Sequence, residues 1–126
     1  MIKQTLVSQK TAPAIGPYSP GLLAGSLVFL SGQVPLDAEG NVVGESAAEQ
    51  ARQALTNLQH LLEAAAMTSH AVAKTTVFLT DMNDFAAVNE VYAGFFEKPY
   101  PARSTVQVAA LPKGVKVEIE AIAVRE

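Results

Sequence analysis

Apolar and polar positions follow two periods along this chain, and the two periods separate strands from helices. Residues 1–9 place Ile2, Leu6 and Val7 around a polar Lys-Gln-Thr stretch and predict a first strand. Thr11–Gly21 (TAPAIGPYSPG) holds three prolines and two glycines, which excludes a helix or a central strand and predicts a loop carrying Tyr18. Leu22–Ser31 predicts one strand whose run Val28-Phe29-Leu30 suits burial on both faces. It closes on Ser31-Gly32-Gln33, where glycine permits a turn or a close approach. Asp37–Asn41 (DAEGN) predicts a turn, and Val42-Val43 a short return strand.

Ser46-Ala47-Ala48-Glu49 is a capping box. Ala51, Leu55, Leu58, Leu62 and Ala65 then form one stripe on a helix of about 20 residues, with Arg52, Gln53, Gln59, His60 and Glu63 off it. Ala71–Thr80 is rich in β-branched residues and predicts a strand with Val77 and Leu79 on one face. Asp81–Asp84 supplies acidic caps for a second helix, striped by Phe85, Val88, Tyr92 and Phe95 and ended by Lys98-Pro99. Two more strands follow, Arg103–Ala109 and Val115–Val124. In the first, Arg103, Thr105 and Gln107 oppose Val106 and Val108. In the second, Lys116, Glu118, Glu120, Ile122 and Val124 share a face. The order predicts an α+β domain with two helices on one side of a mixed sheet, the whole of residues 1–126 forming a single domain.

The last strand is informative because its polar-looking face ends in Ile122 and Val124. A solvated face would stay polar, and no further element of the chain is left to cover it. A second subunit is the simplest cover. Strand arithmetic points the same way. If Ala110–Gly114 were a hairpin turn, Arg103 and Glu118 would stand about 13 Å apart along the strands, at about 3.4 Å per residue. Either the two strands are not a hairpin pair, or Arg103 of one chain works with Glu118 of another. The apolar outer face favours the second.

Composition narrows the class. Hydrophobic residues make up 49% and charged residues 17% of the 126, which fits a globular chain and leaves apolar surface for association. The net charge is −3 and the nine Lys and Arg form no run, so a nucleic-acid partner is not expected. With no cysteine there is neither disulfide nor thiol nucleophile, and two histidines, His60 and His70, make a poor metal site. The first ten residues lack the apolar core of a signal peptide, and no run is long enough for a membrane span. Both point to a cytoplasmic protein.

Three features could carry chemistry. Arg103 follows the stiff lead Pro99-Tyr100-Pro101-Ala102 and opens a half-apolar strand, a setting suited to bidentate capture of a carboxylate. Glu118 and Glu120 share a strand face, where paired carboxylates can divide acid and base roles. Tyr18 and Ser31-Gly32 are weak signals alone, more often packing and turn than site. No nucleophile elbow, P-loop or dinucleotide fingerprint is present.

Four blocks together resemble the RidA family, the reactive-intermediate deaminases also called the YjgF family. They are Ile15-Gly16-Pro17-Tyr18-Ser19, Ser31-Gly32-Gln33, the helix from Asp84-Phe85 to Phe96, and Pro101-Ala102-Arg103 through Val117-Glu118-Ile119-Glu120-Ala121. The resemblance covers essentially the whole chain. It implies a chorismate-mutase-like α+β fold, a homotrimer with clefts between subunits, and cofactor-free hydrolysis of 2-imino acids to 2-oxo acids and ammonia. It implies that Arg103 binds the substrate carboxylate, that Glu118 handles the water, and that Tyr18, Ser31 and Gly32 line the cleft. Many members carry a cysteine where this chain has Thr105, which serves equally if that position contributes its backbone N–H. A non-catalytic carboxylate sensor and a ribonuclease or translation inhibitor are the rival expectations. With five Phe, three Tyr and no basic run, the sequence argues against RNA.

Overall fold

The computed structural model describes residues 2–126. Six strands form one sheet in the order β1-β2-β3-β6-β4-β5, where β1 is Lys3–Leu6, β2 Gly21–Ala24, β3 Leu27–Gln33, β4 Val72–Leu79, β5 Ala102–Gln107 and β6 Val117–Val124. Helices α1 (Ala47–Ala64) and α2 (Phe85–Phe95) pack on the same side of it. The mixed α+β architecture is the expected one. Every strand pair is antiparallel except β4–β5, which α2 connects as a crossover.

The local signals explain most of these elements. Ser46 caps α1 as read from the sequence: its hydroxyl accepts from the Glu49 N–H at 3.1 Å, and the Glu49 carboxylate accepts from the Ser46 N–H at 3.1 Å. Leu55, Leu58, Leu61 and Leu62 of α1 join Val117, Ile119, Ala121 and Ala123 of β6 in one core with Val28 and Leu30. On α2, Val88 and Tyr92 are buried, and the Tyr92 hydroxyl meets the Thr75 hydroxyl of β4 at 2.7 Å beneath the helix. Among the described residues no helix is long and apolar enough to cross a membrane.

Four expectations are corrected. Leu22–Ser31 is two strands, since Gly25 at φ +63° turns the chain within two residues and pairs Ala24 with Leu27. Phe29 is accordingly 40% exposed while Val28 and Leu30 are buried, so this run alternates and does not hide both faces. Val42-Val43 forms no strand; a single bridge joins Leu36 to Val42. The caps ahead of α2 also differ. Asp81 accepts from the Asn83 N–H in a short 3-10 turn, and Asp84 at the N-cap makes no side-chain bond to the helix. The first strand is shorter than expected, because only the stretch facing β2 has partners.

Of the two alternatives the strand arithmetic left open, the first is found: β5 and β6 are not a hairpin pair, because β4 lies between them. Their connection carries a 3-10 turn at Pro112–Gly114 and crosses to the far side of β4. The mixed apolar face of β6 is nonetheless as expected. Leu27 pairs with Val124 and Phe29 with Ile122 on the side away from the helices, and Val124 is 44% exposed.

Candidate functional site

Glu118 sits at the place where the sheet loosens. Leu30 pairs with Ala121 and Gln33 with Ile119, so three steps along β3 match two along β6, and Ser31-Gly32 forms the bulge between them. The bulge opens the backbone beside Glu118. A side chain at Gly32 would have its Cβ 2.8 Å from the Glu118 Cδ and 3.1 Å from its Cγ, in collision with Oε2. Glycine here leaves the Glu118 carboxyl its place; any side chain would displace it.

The same bulge anchors the proline-rich loop. Ser31 donates from its N–H to the Pro20 carbonyl at 2.9 Å and from its hydroxyl to the Ser19 carbonyl at 2.6 Å. That pair of bonds sets Tyr18, half-exposed, over the mouth of a cavity of about 530 Å³. Tyr18, Ser31, Gly32 and Glu118 line this cavity together with Asn57 and Lys113. Four residues singled out from the sequence thus converge.

Burial raises the proton affinity of Glu118 above the ordinary carboxylate range, and the neighbouring Glu120 carboxylate adds to the effect. A carboxyl of raised proton affinity at the wall of a cavity is suited both to take a proton from water and to return one.

Arg103 lies elsewhere. It is the register partner of Thr75, which faces the helices, whereas Glu118 is the partner of Phe78 on the opposite face. Three residues along the strands and two strand spacings separate them, about 14 Å from standard sheet dimensions. Within one chain the two residues therefore occupy opposite faces. Arg103 Nη1 donates to the Asn89 carboxamide at 2.7 Å, and the guanidinium lies 4.8 Å from the Tyr92 ring centroid and 5.5 Å from that of Phe85. A second cavity, about 420 Å³, opens between Arg103, Asn89, Tyr92 and Tyr100. A guanidinium has five N–H donors, so the bond to Asn89 leaves others for a planar anion. Thr105, two residues along β5, has a buried hydroxyl with no hydrogen-bond partner among the described residues.

A model of the family described as Endoribonuclease L-PSP matches residues 9–125. The chain belongs to the RidA family. Among relatives, the 2-iminobutanoate/2-iminopropanoate deaminase of Salmonella typhimurium is 48% identical, covering 98% of this chain and 99% of that protein. The Homo sapiens protein of the same name is 44% identical over 99% of this chain and 92% of its own length. The crystal structure of Escherichia coli TdcF with bound serine superposes with a TM-score of 0.92 at 47% identity, covering 98% of this chain and 99% of that one.

Against this RidA frame, sequence reasoning overlooked Asn89. It sits on α2 one residue beyond the apolar stripe, where an asparagine reads as solvated. Only the packing of α2 over β5 shows that it holds Arg103. Phe85 and Tyr92 were legible as helix core but not as the aromatic bed of a cation.

Proposed function

We propose that this chain hydrolyses small 2-imino acids, with their enamine tautomers, to 2-oxo acids and ammonia. The observation that carries the reading is Glu118: a carboxyl of raised proton affinity at a cavity wall, given room by Gly32. The names of the Salmonella and human relatives support the same reaction.

The chemistry suits the residues. A protonated imine carbon is electrophilic without further activation. Glu118 takes a proton from water as the oxygen bonds to that carbon, giving a tetrahedral amino alcohol. It then returns that proton to the nitrogen, and as the C–N bond breaks it takes the hydroxyl proton, so that the carbonyl forms and ammonia and the 2-oxo acid leave. Arg103 anchors the carboxylate, so that water and imine meet in a fixed geometry. Tyr18 and the Ser31-Gly32 bulge bound the reacting end.

A molecule this small cannot reach both Arg103 and Glu118 of one chain, which point from opposite faces about 14 Å apart. The site is therefore completed by Arg103 of a neighbouring copy, and the outer face carrying Leu27, Phe29, Ile122 and Val124 is the surface the copies bury. That the copies number three follows from the family resemblance. The shared core of both helices and the sheet supports the chain acting as one domain. A cytoplasmic setting belongs to the same proposal. The ribonuclease named in the family description has no support in the charge pattern, which is −3 with no basic run.

Two inactive variants test this together. Arg103→Ala and Glu118→Gln are each expected to lose ammonia release from 2-iminobutanoate. Unfolded together and refolded at equal amounts, they should regain about one quarter of wild-type activity, since about that share of clefts pairs two intact residues. No recovery from mixed assemblies would rule out a shared cleft, and full activity in either single variant would rule out the assigned role.

A further inference from the structure

Helix α1 turns an apolar stripe to the sheet, yet two amides lie buried along its inner side: Gln50, 5% exposed, and Asn57, 2% exposed. With the half-buried Gln53 they stand at helical spacing, so one side of the helix carries a polar seam. Buried amides are tolerated where they are fully hydrogen-bonded. The partners here are backbone groups of the two irregular segments that flank the cavity. Asn57 Nδ2 donates to the Val34 carbonyl at 3.1 Å and the Leu36 carbonyl at 2.9 Å. Gln53 Nε2 donates to the Leu36 carbonyl at 3.2 Å and to Asn57 Oδ1 at 3.0 Å, which orients the Asn57 amide. Gln50 donates to the Gly44 carbonyl at 3.1 Å and accepts from the Lys116 N–H at 2.7 Å.

The placement of these bonds is informative. Residues 34–44 have a single bridge, Leu36–Val42, in place of strand pairing, so the seam supplies much of what holds their backbone to the fold. Val34 stands two residues after Gly32, and Lys116 stands two residues before Glu118. One helix thus grips both chain segments on which the bulge and the carboxyl depend, and Asn57 also lines the cavity they share. The clearance between Gly32 and Glu118 is tight enough that a small shift of either segment changes it.

We infer that Asn57, oriented by Gln53, is a positioning residue that sets the placement of Gly32, and with it the room left to the Glu118 carboxyl, from the far side of the cavity wall. The inference rests on the hydrolytic role assigned to Glu118 above. Asn57 touches no reacting atom; it acts through the backbone of Val34 and Leu36.

The test uses Asn57→Ala, Gln53→Ala and Glu118→Gln in the full-length protein, with kcat, KM, the pH profile of kcat and thermal unfolding measured for each. Asn57→Ala should lower kcat about tenfold with KM changed less than threefold, since misplacement of a reacting group by a fraction of an ångström costs rate more than binding. Water entering the loosened wall should also move the carboxyl limb of the pH profile toward the ordinary glutamate range. Gln53→Ala, at a half-buried position, should show the same changes about threefold in size, and it decides the matter if Asn57→Ala does not fold. Wild-type kcat and an unmoved pH limb in the folded variants, whatever their melting temperatures, would overturn the inference and leave a purely structural seam. Wild-type activity in Glu118→Gln would instead remove the reading beneath it.

Discussion

Replacing Gly32 by alanine adds one methyl group at the most crowded point of the proposed site. The new Cβ would stand 2.8 Å from the Glu118 Cδ and 3.1 Å from its Cγ, and it would overlap Oε2. Carbon contacts settle at about 3.5–4.0 Å, so the carboxyl must retreat by about 1 Å or rotate away. The backbone does not resist the change, because no left-handed conformation is found at Gly32. The displaced group is the end of a flexible side chain, which keeps the cost to folding within about 1 kcal/mol, a shift of at most about 5 °C in a chain of this size. Catalysis is affected more. Misplacing a reacting group by about 1 Å costs about 10²-fold in rate. Gly32→Ala is therefore expected to fold, to melt near the wild type, and to lose about two orders of magnitude in kcat with a smaller change in KM. The assay generates 2-iminobutanoate from threonine with a pyridoxal-phosphate dehydratase and follows 2-oxobutanoate formation as the variant is added. A kcat within twofold of wild type would show that the Glu118 carboxyl does not need the position the bulge provides, and the reasoning would fail.

Other consequences are simpler to state. Arg103→Lys keeps the charge but cannot bridge Asn89 and a carboxylate in one plane, so kcat/KM should fall about 10–100-fold, mostly through KM; an unchanged KM would contradict carboxylate anchoring. Tyr92→Phe leaves the buried Thr75 hydroxyl without its 2.7 Å partner. It should cost about 1–2 kcal/mol, seen as a melting point lower by about 3–8 °C; no change would mean that another group satisfies Thr75. Glu118→Gln should raise the melting temperature at neutral pH. The folded protein favours the protonated form of Glu118, by burial first and by Glu120 second, so ionising it as pH rises from 4.5 through its raised value costs stability that glutamine does not lose. The advantage should vanish below about pH 4, where both states are protonated, and a difference constant across pH would refute it.

Much of this protein follows from local pattern alone. The capping box, the leucine stripe of α1, the β-branched run of β4 and the alternation of β6 are decided within a few residues, because backbone geometry repeats every two or 3.6 positions. The paired suspects Arg103 and Glu118 were legible for the same reason, as charges interrupting half-apolar strands. The mixed outer face of β6 was legible too, since Ile122 and Val124 break an otherwise polar alternation. Pattern could not decide the order of strands in the sheet. The place of β4 between β5 and β6 rests on its pairing with both along nearly its whole length, a long-range outcome that no window of sequence contains. That one choice puts Arg103 and Glu118 on opposite faces and gives Arg103 its bed of Asn89, Tyr92 and Phe85. The bulge at Ser31-Gly32 is also tertiary, because it exists only as a mismatch between β3 and a strand about ninety residues later. Sequence determined which residues could do chemistry; the packing of helix on sheet decided which of them could meet.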